Sequence, residues 1–330
     1  MDNMINFINP KTGNRLVVRN SGKELKLFDE LTHDEVAHVK DNIPRFVYQK
    51  DNYAETFGWQ WKKWRDAQSE SRGSSVKQKD LIMSRTHFSE YPIENRTILE
   101  CGMGGGDDTE VLLTLPFSEI HSFDLSTSVE RAKESLKDSR LVISQSSIYE
   151  IPYPDNAFDF VFCHRVIMHT PDPERALRCM CKKTKPDGIL FIHSYKKSPE
   201  RMKEWRYKYR FISTRVPSVF IYFYVRFFGT IMHNLVDYFY KQGGSWQEFA
   251  YKYIPFYRVL PSGSYDVPQP ELIELEKLIT FDALHPKYDL PMTTEDLTRI
   301  LREEGFVVEY LEDSVASLVY ATARKRRLDK

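Results

Sequence analysis

The middle of the chain alternates short apolar runs with amphipathic stretches, and polar or glycine-rich turns separate them. Residues 97–100, 120–123, 141–144, 160–163 and 189–193 read as five buried strands. Between them, helices are predicted over 107–115, halted by Pro116, and over 129–136, where Thr127 and Glu130 have capping-box spacing. Another opens at Asp172-Pro173-Glu174, with a capping carboxylate followed by proline at the first helical position. Strands that alternate with helices predict a parallel α/β sheet. A last helix over 295–304, capped by Thr293 and ended by Gly305, leads into two strands, 306–311 and 318–323.

Outside this pattern the chain divides into further segments. Residues 1–46 hold strand-like pieces at 15–18 and 24–27. Residues 47–95 include a stretch that places Tyr53, Phe57, Trp61 and Trp64 on one helical face. The core then spans 96–195, an aromatic-rich, mostly helical insertion spans 196–290, and 291–330 completes the core. Within the insertion, Phe220, Ile221, Phe223, Tyr224, Phe227 and Phe228 recur too loosely for an amphipathic face and are read as its interior.

The chemistry concentrates where the first strand meets its helix, at Ile98-Leu99-Glu100-Cys101-Gly102-Met103-Gly104-Gly105-Gly106. Glycine suits a turn in which backbone must bend sharply or approach a ligand. Glu100 ends the strand, and Asp107 and Asp108 open the helix. That much negative charge disfavours a pyrophosphate and favours a cationic ligand, such as the ammonium and sulfonium of S-adenosylmethionine. The dinucleotide pattern G-x-G-x-x-G fails at Asp107, and no G-K-[ST] follows. Asp124, at the tip of the second strand, is placed to accept hydrogen bonds from ribose hydroxyls. Preceding a helix cap is its alternative role.

Four pieces together, ECGMGGG, Asp124, IPYPDNAFDFVFCHRVIMHTPDPERAL and KPDGILFI, span 97–195 and resemble the core of a class I SAM-dependent methyltransferase of the small-molecule type. The resemblance implies a Rossmann-like seven-stranded sheet with helices on both faces and a helical lid inserted after strand five. It implies S-adenosylmethionine as cofactor, held by Glu100, Gly102, Gly104, Gly106, Asp124, Leu125 and His164. The family usually carries an aspartate near the start of the third loop. Ser147 stands there, so the adenine contact is expected from its hydroxyl or from the backbone of Ser147 and Ile148.

The stretch Asn52-Tyr53 to Gln60-Trp61 is similar to segments of related methyltransferases that cover the cofactor, which makes Tyr53, Gln60 and Trp61 candidates for closing the pocket. A helix simply packed on the core is the other reading. Residues 1–46 resemble a zinc-ribbon-like segment whose C-P-x-C knuckle would fall on Asn9-Pro10-Lys11-Thr12. The ligands are missing, so no zinc is expected. For the transfer itself, His169 is the candidate base or orienting residue, with Tyr195 and His285 as candidate acceptor contacts. A small-molecule acceptor is expected, with O-methylation slightly favoured over N- or S-methylation. The fourth strand lacks Asn-Pro-Pro-Tyr or Asp-Pro-Pro-Tyr, which argues against adenine or glutamine N-methylation.

Composition narrows the field further. With 47 Lys and Arg against 47 Asp and Glu, no global charge draws the chain to nucleic acid. Four cysteines lie in or beside core elements, without the spacing of a disulfide framework or a metal site. No export signal is visible, and the longest uninterrupted apolar run, 219–225, is too short to span a bilayer. Cytoplasmic residence is the expectation, with peripheral membrane contact open. From Lys196 to Arg226 nine Lys or Arg face two Glu, which reads as a solvated face, an anion-steering rim or a surface for acidic phospholipid. Two further function classes stay open: an NAD-linked oxidoreductase and a noncatalytic SAM-binding partner protein.

Overall fold

A computed structural model of the chain describes residues 6–21, 24–47, 52–55, 57–58, 78–259, 269–314 and 317–327. Its centre is a sheet in which β5 (Thr97–Cys101) pairs in parallel with β6 (Glu119–Asp124) and β8 (Phe158–Cys163). β7 (Leu141–Gln145) lies beyond β6, and β9 (Thr184–Tyr195) lies beyond β8. The hairpin of β10 (Phe306–Glu312) and β11 (Leu318–Lys325) closes that side, with β11 antiparallel to β9.

These seven strands run in the spatial order β7-β6-β5-β8-β9-β11-β10. Four more extend the sheet: β1 (Leu16–Ser21), β2 (Glu24–Asp29), β3 (Glu35–Lys40) and β4 (Ile43–Arg45). β4 joins β7 in parallel, and Arg45 donates to the Gln145 side chain at 2.7 Å and pairs with Glu130 at 3.1 Å. Glu130 is thereby occupied, and the Thr127–Glu130 capping box does not form. The helix there begins after Ser128 with no side-chain cap.

Because side chains alternate across a strand, both faces of the central strands are buried. Leu99, Val161 and Ile192 pack with Leu177, Leu297 and Leu301 on one face. Ile98, Phe160 and Phe191 pack with Ile82, Leu112 and Val129 on the other. The first set meets α4 (Pro173–Lys183) and α10 (Thr294–Glu303); the second meets α1 (Gln78–Thr86), α2 (Asp107–Leu113) and α3 (Val129–Ser135). Asp172 and Thr293 cap α4 and α10 by accepting from the N–H groups of Arg175 and Asp296. β11 runs through Lys325, whose ammonium donates to the carbonyls of Cys181 and Thr184.

After β9 come α5 (Trp205–Ser213), α6 (Ser218–Phe223), a π-helical turn (Tyr224–Phe228), α7 (Gly229–Gln242), α8 (Gly244–Tyr253) and α9 (Gln269–Leu284). Of the aromatic run read as interior, Ile221 is buried and Tyr224 half-buried, but Phe220, Phe223, Phe227 and Phe228 are exposed. The continuous helix Ser218–Gln242 is, by length and composition, long and apolar enough to cross a membrane, which the short run at 219–225 did not reveal. The local basic excess is partly internal. Arg206 is buried against Asp289 at 2.8 Å and Glu204 at 3.2 Å, and Arg210 donates to the carbonyls of Ala283 and Pro286.

Near the N-terminus, Asp29 organises the turn that the zinc-knuckle comparison singled out. Its buried carboxylate accepts from Asn9 at 2.7 Å, Thr12 at 2.6 Å and Asn14 at 3.0 Å, and from the N–H groups of Leu31 and Thr32. Burial alone would raise this carboxyl, but the hydrogen bonds, led by Thr12, hold it well below the ordinary carboxylate range. Among the described residues no group of three or more His, Cys, Asp or Glu is arranged to hold a metal.

A carboxyl depressed in the folded state stabilises above its unfolded pKa and loses that contribution as pH falls. Below about pH 4 the Asp29 contribution should therefore fade. In thermal melts, Asp29→Asn should lower the midpoint at pH 7 and narrow the gap to wild type at pH 3; an equal gap at both would show that the charged form contributes nothing.

Candidate active site

A cavity of about 280 Å³ opens at the carboxyl ends of β5, β6 and β8, where ligands bind in open α/β sheets. The glycine turn forms its floor. Gly102 and Met103 both donate their N–H groups to the Phe123 carbonyl, at 2.8 and 3.0 Å. Gly102 has φ +84°, and a Cβ there would lie 2.3 Å from Val166 Cγ2. Neither the backbone angle nor the space admits a side chain. Gly104 donates to Asp124 Oδ2 at 2.9 Å, which ties the turn to the tip of β6.

Asp124 lines the cavity, as expected for a ribose contact. Oδ1 accepts from Ser126 N–H and Oγ, at 2.8 and 2.6 Å. Burial raises its carboxyl, and these hydrogen bonds work against the rise. Leu125, Ile148 and Tyr53 also line the cavity, and the Tyr53 ring meets Tyr288 edge-on at 5.8 Å. Gln60 and Trp61 lie outside the described residues.

Three expected cofactor contacts do not reach the wall. Glu100 is buried beneath it, where Oε2 accepts from Thr109 and Ser122 hydroxyls at 2.6 Å each. Burial pushes its pKa to about 8, with Asp108 and Asp124 adding to the rise. The carboxylates on the wall itself are Asp107, Asp108, Asp124 and Asp282, with the Arg165 guanidinium 3.6 Å from Asp108. Gly106 has φ +97° ahead of α2, where a Cβ would meet Leu136 at 2.8 Å. It lets α2 pack on α3 and is not among the lining residues. Ser147 turns its hydroxyl to the Tyr149 N–H at 3.2 Å.

Of the two neighbouring serines, it is Ser146 that belongs to the cavity lining. It is fully buried, and its Oγ has no hydrogen-bond partner among the described residues. A buried polar atom without a partner is costly unless a ligand or water satisfies it. Only a one-residue shift in the loop after β7 separates it from the expected Ser147.

His164 lines the cavity with both ring nitrogens engaged. Arg85 donates to Nε2 at 3.1 Å, so Nδ1 carries the hydrogen toward Asp108 Oδ2 at 2.8 Å. Burial would raise Asp108, but His164 and Arg165 outweigh it and hold the carboxylate well below its ordinary range. His169 also lines the cavity, with its ring 5.1 Å from Phe57 and 5.7 Å from Tyr195. Its Nδ1 lies 3.0 Å from the Tyr288 carbonyl, which can only accept. In a neutral imidazole this leaves the lone pair on Nε2.

Tyr195 lies on the same wall, half-buried beneath the guanidinium of Arg201 at 4.2 Å. His285 does not. It packs against Phe281 at 4.7 Å without a hydrogen-bond partner among the described residues, and burial lowers its pKa to about 4. The far wall comes from α9 through Leu275, Leu278, Ile279 and Asp282. Their 3–4 residue spacing was legible as a helical face, although nothing local marked it as facing the core.

Residues 99–192 match the family model described as a methyltransferase domain. An uncharacterized methyltransferase of Schizosaccharomyces pombe is 33% identical over 118 residues, covering 32% of this chain and 42% of that protein. Phosphoethanolamine N-methyltransferase 2 of Caenorhabditis elegans is 33% identical over 107 residues, covering 31% and 24%. A ubiquinone biosynthesis O-methyltransferase of Neisseria meningitidis is 27% identical over 116 residues, covering 32% and 46%. The core is a class I SAM-dependent methyltransferase domain. The chain spans less than half the length of each of these relatives.

The cavity of this methyltransferase domain fits S-adenosylmethionine on two counts. Its carboxylates complement the cofactor's two positive centres, and the orphaned Ser146 hydroxyl and the Asp124 carboxylate offer partners for hydrogen-bonding groups of the nucleoside. Ser146→Ala should weaken binding of S-adenosylhomocysteine by about 1 kcal/mol, roughly fivefold, in calorimetry. Ser147→Ala should leave it unchanged, and the reverse order would return the contact to Ser147.

Proposed function

We propose that the protein transfers a methyl group from S-adenosylmethionine to a small-molecule acceptor, most readily a hydroxyl. The observation that carries this reading is the 3.0 Å approach of His169 Nδ1 to the Tyr288 carbonyl. With Nδ1–H directed to the Tyr288 carbonyl, Nε2 can take the proton that a hydroxyl loses as it attacks. The Phe57 and Tyr195 rings pack edge-on against the imidazole and restrict it. The relatives include ubiquinone biosynthesis and malonyl-[acyl-carrier protein] O-methyltransferases beside phosphoethanolamine N-methyltransferases, so the preference for oxygen rests on the histidine.

When bound, the cofactor supplies an electrophilic methyl group and a sulfur leaving group. The chain supplies alignment and a dry site. Asp124 and Ser146 would hold the nucleoside, and Asp107 and Asp108 would offset the positive charge. Leu275, Leu278 and Ile279 present an apolar wall to the acceptor, while Asp282 and Tyr195 give it polar contacts. Such a wall suits an acceptor with an apolar body and one polar group.

Radiolabel transfer from S-adenosylmethionine into a metabolite extract tests the reading. His169→Ala should lower turnover at least about 100-fold, the lower end of the range for acid–base catalysis, with S-adenosylhomocysteine affinity within about twofold of wild type. Unchanged turnover would remove His169 from the chemistry. No transfer by wild-type protein that binds the cofactor would favour a noncatalytic partner. A melting shift with NAD but not S-adenosylhomocysteine would favour an oxidoreductase.

A further inference from the structure

The outer side of the helical insertion is apolar where an ordinary soluble surface is not. Along α6, the π-helical turn and α7, Phe220, Phe223, Phe227, Ile231, Leu235 and Tyr238 are all exposed and recur three or four residues apart, which places them on one helical face. Phe227 and Ile231 are 66% and 62% exposed, too open to be core. The face continues onto α8. Phe239 meets both Trp246 and Phe249, at 5.4 and 5.7 Å, and Phe249 meets Tyr253 at 5.2 Å. Scattered exposed apolar residues are normal, but a continuous aromatic face marks a site of interaction.

The chemistry at its edge narrows the partner. Lys208 lies 3.8 Å over the Tyr253 ring, and Arg215 donates to the Phe211 carbonyl beside exposed Phe211 and Ile212. Neither is in an ion pair among the described residues. Within the helix, the two charged residues before Lys241 are already paired, Arg226 with Glu274 and Asp237 with Arg258. Exposed aromatics rimmed by Lys and Arg match the boundary between acyl chains and acidic headgroups.

The opposite face of the same helix rules out a lone span. Ile221, Val225 and Val236 are buried, and His233 hydrogen-bonds Glu276 of α9 at 2.6 Å, with both side chains buried. Lipid on every side would strip this pair of its protein surroundings. We propose that the insertion docks on the surface of a bilayer containing acidic phospholipid, with the helix lying in the plane of the interface. The inference is independent of the methyltransferase reading, since every residue it uses lies outside the cavity wall.

Co-sedimentation with vesicles tests it, using phosphatidylcholine alone and phosphatidylcholine with phosphatidylserine. Wild-type protein should partition onto the mixed vesicles with at least about tenfold preference, and Lys208→Glu with Arg215→Glu should erase that preference. The combined Phe220→Ser, Phe227→Ser and Ile231→Ser variant, altered only at exposed positions, should lose binding at least about tenfold. Its circular dichroism and S-adenosylhomocysteine affinity should match wild type. Wild-type protein that stays in the supernatant with both vesicles would overturn the proposal. So would binding that survives the triple substitution, or a solution dimer that the substitution splits, since the face would then belong to a second copy of the chain.

Discussion

The site depends on one crossing point, where the glycine turn after β5 is stitched to the end of β6. The Phe123 carbonyl accepts from both Gly102 and Met103, and Asp124 accepts from Gly104. Through these bonds the turn and the carboxylate hold each other in place before any ligand arrives, so little ordering remains to be done on binding. Val166, from the loop after β8, closes against Gly102, so a third strand end is fixed by the same turn. Glu100 anchors the arrangement from beneath through Thr109 and Ser122. With its pKa raised to about 8, much of it is protonated at neutral pH and acts as a hydrogen-bonded strut.

The helical insertion depends on a different kind of constraint. Arg206 joins Glu204 to Asp289, just ahead of α10, and Arg210 reaches the carbonyls of Ala283 and Pro286 at the end of α9. These buried cations, both on α5, tie that helix to the end of α9 and the segment after it, and α9 supplies the far wall of the cavity. Breaking such a buried pair leaves the other charge without compensation. The same insertion therefore has an inner side fixed by ion pairs and an outer side of exposed aromatics.

What the sequence made legible was local. Strands such as β5 and β8 stand out because buried parallel strands are short, largely apolar runs, even though β6 buries His121 and Ser122. The caps at Asp172 and Thr293 are signalled within four residues. What it hid was set across long separations. β4 meets β7 through Arg45 and Gln145, a hundred residues apart, and no local pattern marks that pairing. Glu100 was read as a charge facing the ligand because its hydroxyl partners come from α2 and β6. Ser146 and Ser147 differ by one position, and the loop after β7 decides which of them faces the cavity. His285 is carried on the same helical end as the wall residue Asp282, yet three positions along it is packed away on Phe281.

The central claim is that the carboxylate at the tip of β6 holds the cofactor's sugar. A crystal structure of the S-adenosylhomocysteine complex tests it most directly. The account predicts both ribose hydroxyls within hydrogen-bonding distance of Asp124, about 2.5–3.0 Å. A ribose placed elsewhere, with Asp124 still bonded only to Gly104 and Ser126, would contradict it.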